Sequence, residues 1–128
     1  MKSPEQSIFD DVYAISLNKG YTTFDYKPQE QIPYPFVFVA QTTNTGQLAK
    51  AYMYGNVLQS LEVWHDYKKR RELTDLMNDL KSTLIQPRYA GDYQLALRSF
   101  NTQIRIDDST NEPLLQGIID VEYRYNRR

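Results

Sequence analysis

Val63-Trp64-His65-Asp66-Tyr67-Lys68-Lys69-Arg70-Arg71-Glu72 decides the fold. Upstream of it, from Asn56 to Trp64, side chains alternate: Val57, Gln59, Leu61 and Val63 fall on one face of a strand, and Leu58, Ser60, Glu62 and Trp64 on the other. Downstream, Leu73, Leu76, Met77, Leu80 and Leu84 recur at i, i+3, i+4, i+7 and i+11, the stripe of an amphipathic helix. Asp75, Asn78, Asp79 and Ser82 take the opposite side of that helix, and Pro87 ends it. The quoted stretch is therefore a strand-to-helix corner with four successive basic residues at its surface.

Working outward, Ser3-Pro4-Glu5-Gln6 predicts a helix start, with Ser3 as N-cap, Pro4 at the first helical position and Gln6 completing a capping box. Ile8, Val12 and Ile15 form its apolar face, and Gly20 is a candidate left-handed stop, giving a first helix over about residues 4–18. Residues 21–26 read as a short strand. Pro28, Pro33 and Pro35 then favour an extended connection. Phe36-Val37-Phe38-Val39-Ala40 reads as a central strand buried on both faces. Residues 42–55 read as a long polar loop. After a turn at Gly91-Asp92, Tyr93, Leu95 and Leu97 alternate, and Gln103-Ile104-Arg105-Ile106 gives a further strand segment. Residues 107–113 are turn-rich. A long final strand follows, with Leu115, Gly117, Ile119, Val121, Tyr123 and Tyr125 alternating. The strands are mostly joined by hairpins. This order predicts an α+β fold: a mixed, mostly antiparallel sheet with two helices packed on one face.

At 128 residues the chain is read as one domain, residues 1–128, able to bury a single core. Its formal net charge of −1 supplies no long-range field toward nucleic acid or membrane. With no cysteine it forms no disulfide, thiolate metal site or cysteine nucleophile. No run approaches the roughly 18 apolar residues of a membrane span. The N-terminus lacks the apolar segment of a signal peptide, so a cytoplasmic site of synthesis and assembly is expected.

Motifs for catalysis are missing. His65 is the only histidine, and its neighbour Asp66 points to the other face of the strand, so a structural or surface histidine is expected. Asp10-Asp11 and Asp107-Asp108 are carboxylate pairs without the ligand series of a calcium loop. No phosphate-cradling glycine loop, nucleophile elbow or HExxH helix is present. No cofactor and no metal are expected.

Two stretches suit interaction instead. Within the 42–55 loop, Leu48, Tyr52, Met53 and Tyr54 place apolar groups that either fold back on the core or form an arm that a partner covers, with Lys50 beside them as a further interface candidate. Tyrosine, 11 of 128 residues, suits surfaces buried against partners, although it also fills strands. Lys68, Lys69, Arg70 and Arg71 sit at a helix N-terminus, where the macrodipole disfavours positive charge. They are a solvated face, a contact for an acidic protein surface, or a contact for nucleic acid. The edge of the final strand is a third candidate surface.

The order of these parts resembles the tail terminator (tail completion, or head–tail joining) proteins of long-tailed bacteriophages. An N-terminal helix leads through Ile32-Pro33-Tyr34-Pro35-Phe36-Val37 into a strand. A long hairpin follows, then Leu61-Glu62-Val63-Trp64, the basic corner Tyr67-Lys68-Lys69-Arg70-Arg71-Glu72, and a helix with Leu73, Leu76, Met77 and Leu80. The match covers most of residues 1–85, and the last third agrees only as strands. The resemblance implies a non-enzymatic virion protein that forms a hexameric ring of copies on the last ring of the major tail tube protein. It also implies a docking surface for the head-completion or connector protein, with DNA passing through the ring without sequence-specific binding and no membrane partner. A head-side connector component, or a small α+β enzyme or ligand-binding domain, is the alternative.

Overall fold

The computed structural model describes residues 2–29, 31–45 and 50–127. The chain runs α1 (Pro4–Asn18), β1 (Thr23–Phe24), β2 (Phe36–Asn44), β3 (Tyr54–Asp66), α2 (Arg70–Leu84), β4 (Arg88–Ala90), β5 (Tyr93–Asp107) and β6 (Leu114–Arg127). The six strands form one sheet in the order β1-β2-β3-β6-β5-β4, antiparallel except for the β1–β2 pair. Both helices pack on one face, so the α+β architecture expected from the sequence is the one observed.

Each helix starts and stops for a local reason. The Ser3 hydroxyl accepts the Gln6 N–H at 3.1 Å, and Pro4 opens the first turn. The capping box is only half formed, because the Gln6 amide donates to Asp10 instead. Gly20 follows the end of α1 at φ +90°, a conformation that a Cβ would strain. The five apolar residues of the α2 stripe are all buried. They meet β3 and β6, whose inward rows are Val57, Leu61 and Val63 and Leu115, Ile119, Val121, Tyr123 and Tyr125. Gly117 lies in the middle of this contact. A Cβ there would stand 2.5 Å from Met77 Sδ and 3.3 Å from Leu73 Cδ1, so α2 sits this close because β6 carries no side chain at that point.

The sheet curls around α1. Arg88 of β4 binds Asp11 of α1, while Asn44 of β2 donates to Glu5. In a flat sheet these strands would stand roughly 19 Å apart, yet Glu5 and Asp11 are separated by only about 9 Å of helix.

Four expectations are corrected by this topology. The polar loop is shorter than 42–55, because β2 continues through Thr42, Thr43 and Asn44 and β3 begins at Tyr54. A bulge between Val39 and Thr42 interrupts the two-residue period there, and the polar residues beyond it still pair with Gln59, Leu58 and Val57. The strand expected over 21–26 shrinks to two residues. The Phe36 run is not central: only β1 lies beyond it. Its outer face is covered by rings, with Phe24 and Tyr34 at 5.7 and 5.8 Å from Phe36. Finally, β6 offers no edge. It is paired along its length with β3 on one side and β5 on the other.

The inward face also holds a buried polar knot. Arg88 donates to Asp11 at 2.7 and 2.8 Å, to the Leu84 carbonyl at 3.0 Å and to the Tyr123 hydroxyl at 2.9 Å, with its guanidinium 4.8 Å over the Tyr123 ring. Tyr123 in turn donates to the Leu84 carbonyl at 2.7 Å. Burial opposes the Arg88 charge, but Tyr123 and Asp11 outweigh it and raise its pKa. Burial pushes the Tyr123 phenol from 10.0 up to about 12. Above pH 10 the unfolded chain ionises this group while the folded chain keeps it neutral. Stability is therefore expected to fall as pH rises from about 10 to about 12, by at most about 1.4 kcal/mol per unit from this residue. Denaturant titrations at pH 9, 10 and 11 check this, and the fall should be shallower in Tyr123→Phe. An equal fall in both proteins would assign it to other tyrosines.

Candidate interaction surfaces

The tip of the β2–β3 hairpin is anchored and exposed at once. Tyr93 and Tyr125 are fully buried, packed edge to face at 5.5 Å. Their hydroxyls reach out of the core to the carbonyls of Tyr52, at 3.3 Å, and Ala51. The Arg127 N–H takes the Met53 carbonyl at 2.6 Å, and Met53 N–H closes a turn onto Lys50. Asn44 donates to the Tyr125 hydroxyl at 3.1 Å. Burial raises the pKa of both phenols, so they stay neutral donors. With three successive carbonyls held, the side chains of Tyr52, Met53 and Tyr54 point outward at 53, 41 and 39% exposure. Of the two options open in the sequence, the apolar side chains of Tyr52, Met53 and Tyr54 do not fold back on the core, although the backbone that carries them is held to it. Lys50 is also exposed at this tip. Leu48 lies outside the described residues. Tyr54 pairs with Asn126, Asn126 with Gln94 and Gln94 with Tyr89, so a second exposed tyrosine ends the same cross-strand row.

The basic corner stands at the other end of β3. Thirteen residues of extended chain separate the two, about 40 Å. Lys68 and Lys69 occupy the turn. Arg70 and Arg71 open α2, whose N-cap, Lys69, makes no side-chain capping bond. The turn is fixed by Asp66: its carboxylate accepts the Lys68 N–H and its carbonyl accepts the Lys69 N–H, each at 3.0 Å. All four basic side chains are exposed, and none forms an ion pair with another described residue.

His65, just behind the corner, is buried. Its Nδ1 accepts the Asp66 N–H at 2.8 Å, so the neutral ring carries its proton on Nε2. Nε2 lies 3.4 Å from the Glu72 carboxylate, near enough for attraction but without hydrogen-bond geometry. The Asp66 carboxylate serves the backbone instead, so the two neighbours form no side-chain pair. His65 is therefore buried between β3 and the first turn of α2, with its Nε2 unpartnered among the described residues.

At the same end of β3, around Trp64, lies an open groove of about 650 Å³. Tyr34, Phe36 and Trp64 form its floor, with Lys27 4.5 Å over the Trp64 ring, and the 107–114 connection forms one wall. Hydrogen bonds from Ser109 hold the Asp107 carboxyl below its usual range, with Lys27 and Arg105 adding to the effect. The carboxylate pairs singled out in the sequence have separate structural duties. Asp10 binds Lys2 and Gln6, Asp11 binds Arg88, and Asp107 caps its own turn. Among the described residues, no three His, Cys, Asp or Glu side chains are grouped to hold a metal ion. Among the described residues, no helix is long and apolar enough to cross a membrane.

The sequence-predicted residues thus collect into two surfaces rather than one site. The anchors Tyr93, Tyr125 and Arg127 carry no signal of their role in sequence, because they read only as inward strand positions and a terminal charge.

No model of a known protein family matches this chain, and no match is found among curated proteins.

Proposed function

We propose that this chain is a structural virion protein that closes a phage tail tube as a ring of copies and joins the tail to the head connector. The observation that carries this reading is the separation of two unlike docking surfaces by the length of β3. A rigid aromatic tip stands at one end and an uncompensated basic corner at the other. A joining protein must hold two different partners at once, and one stiff strand between two poles suits that task. Exposed tyrosine and methionine side chains on a fixed backbone bind with little loss of conformational freedom. The basic corner suits an acidic protein surface and would speed the encounter. In this reading the ring is a homo-hexamer in the virion, its neighbours are the tail tube and head connector proteins, and DNA passes through it unread. The groove beside Trp64 would favour a ligand-binding domain instead.

Replacing Lys68, Lys69, Arg70 and Arg71 together with glutamate tests the corner. The fold should survive, because all four side chains are exposed and negative charge suits a helix N-terminus. Far-UV circular dichroism and the melting temperature should therefore stay close to those of the parent, while the yield of joined particles drops. Unchanged particle yield would remove the corner from the docking surfaces.

A further inference from the structure

Among the described residues two strands have an open side: β2 beyond Phe38, and β5 over most of its fifteen residues, the longer of the two. β4 covers only Tyr93, Ala90's partner, through Leu95, the partner of Arg88. Among the described residues, 96–107 have no strand beside them opposite β6. Along this edge the helix-side row is apolar except for exposed Thr102 at its middle: Leu97 and Ile106 are 39 and 64% exposed, and Phe100 and Ile104 are half-buried. An open edge of this length presents unpaired backbone groups that template pairing with another extended chain.

The edge sequence points to what covers it. Phe100-Asn101-Thr102-Gln103-Ile104 has the same character in both directions about Thr102: apolar, amide, threonine, amide, apolar. We infer that two copies of this chain pair antiparallel through their β5 edges, with the two-fold axis at Thr102. In that register Phe100 faces Ile104 of the second copy, Asn101 faces Gln103, Thr102 faces itself and Ser99 faces Arg105. Facing residues lie on the same side of the extended sheet, and no charge opposes a like charge. The bulge between Leu97 and Ser99 ends the pairing on each side, so it spans about seven residues, a common strand length. The contact is isologous, as a two-fold dimer requires. It goes beyond the ring reading and does not depend on it, since neither the tip nor the corner takes part.

The chain has no cysteine, so a single introduced one reports the axis without ambiguity. At the axis the two Thr102 Cα atoms would lie about 4.5–5.5 Å apart, within disulfide range. Two Asn101 Cα atoms would be diagonal neighbours at roughly 7–8 Å, beyond it. The purified chain should show a mass that rises with concentration from 15.1 kDa toward twice that value. Thr102→Cys should give a covalent dimer with oxidised glutathione, and Asn101→Cys should not. Thr102→Arg, at an exposed position, should stay folded by circular dichroism and remain at one chain's mass. A single-chain mass up to the solubility limit with no Thr102→Cys cross-link would overturn the inference. So would an assembly of any size that Thr102→Arg leaves unchanged. A six-chain mass insensitive to Thr102→Arg would do so while still supporting the ring.

Discussion

Leu80→Ala is expected to destabilise the protein by about 2–5 kcal/mol, the span for removing a fully buried leucine from a packed core. Leu80 is completely inaccessible and lies on the α2 stripe that meets β3 and β6. The helix cannot move inward to fill the void, because Met77 and Leu73 already press against the bare backbone of Gly117. Leu76, near the margin of the same stripe at 6% exposure, should fall toward the lower end of the range. Asp75→Ala, on the exposed side, should change stability by less than about 0.5 kcal/mol. Urea denaturation of the three variants provides the comparison. A loss below about 1 kcal/mol at Leu80 would mean that α2 does not anchor the core.

Arg88→Met should cost a similar amount, about 3–5 kcal/mol, for an electrostatic reason. Arg88 and Asp11 have side chains only 15 and 19% exposed, and Arg88 also binds the Leu84 carbonyl and Tyr123. Removing the guanidinium leaves the Asp11 carboxylate half-desolvated without its partner, and this stranded charge is the larger part of the cost. Removing the carboxylate as well should recover much of it. The double variant, Asp11→Ala with Arg88→Met, is therefore expected to lose clearly less than the sum of the two single changes. Additive losses would show that the pair is not energetically coupled.

How much of this was legible in the sequence depended on how local each feature was. The α2 stripe, the Ser3 cap and the Gly20 stop are decided within a few residues, and each is found where the pattern placed it. The helix-side row of β3 was equally plain, since Val57 to Val63 keep strict alternation. Strand ends were hidden wherever a bulge broke the period. That is why 42–44 looked like loop, and why β5 looked like two pieces rather than one strand bent between Leu97 and Ser99. Strand order was legible only between hairpin neighbours, β2–β3, β4–β5 and β5–β6. The β3–β6 pairing that places β6 inside the sheet joins strands far apart in sequence and is set by long-range packing. The two candidate surfaces were half legible. Lys68 to Arg71 and Tyr52 to Tyr54 stand out by composition. Their separation along β3, and the buried tyrosines that fix the tip, are properties of the folded chain.

The central claim, that this protein joins tail to head, is tested most directly by electron microscopy of the particles made when a phage carrying this coding sequence has it removed. The account predicts DNA-filled heads and unattached tails in the same lysate, with tails of irregular length where termination also fails, and normal virions again when the intact chain is supplied from a plasmid. Normal joined virions in the complete absence of the protein would contradict it.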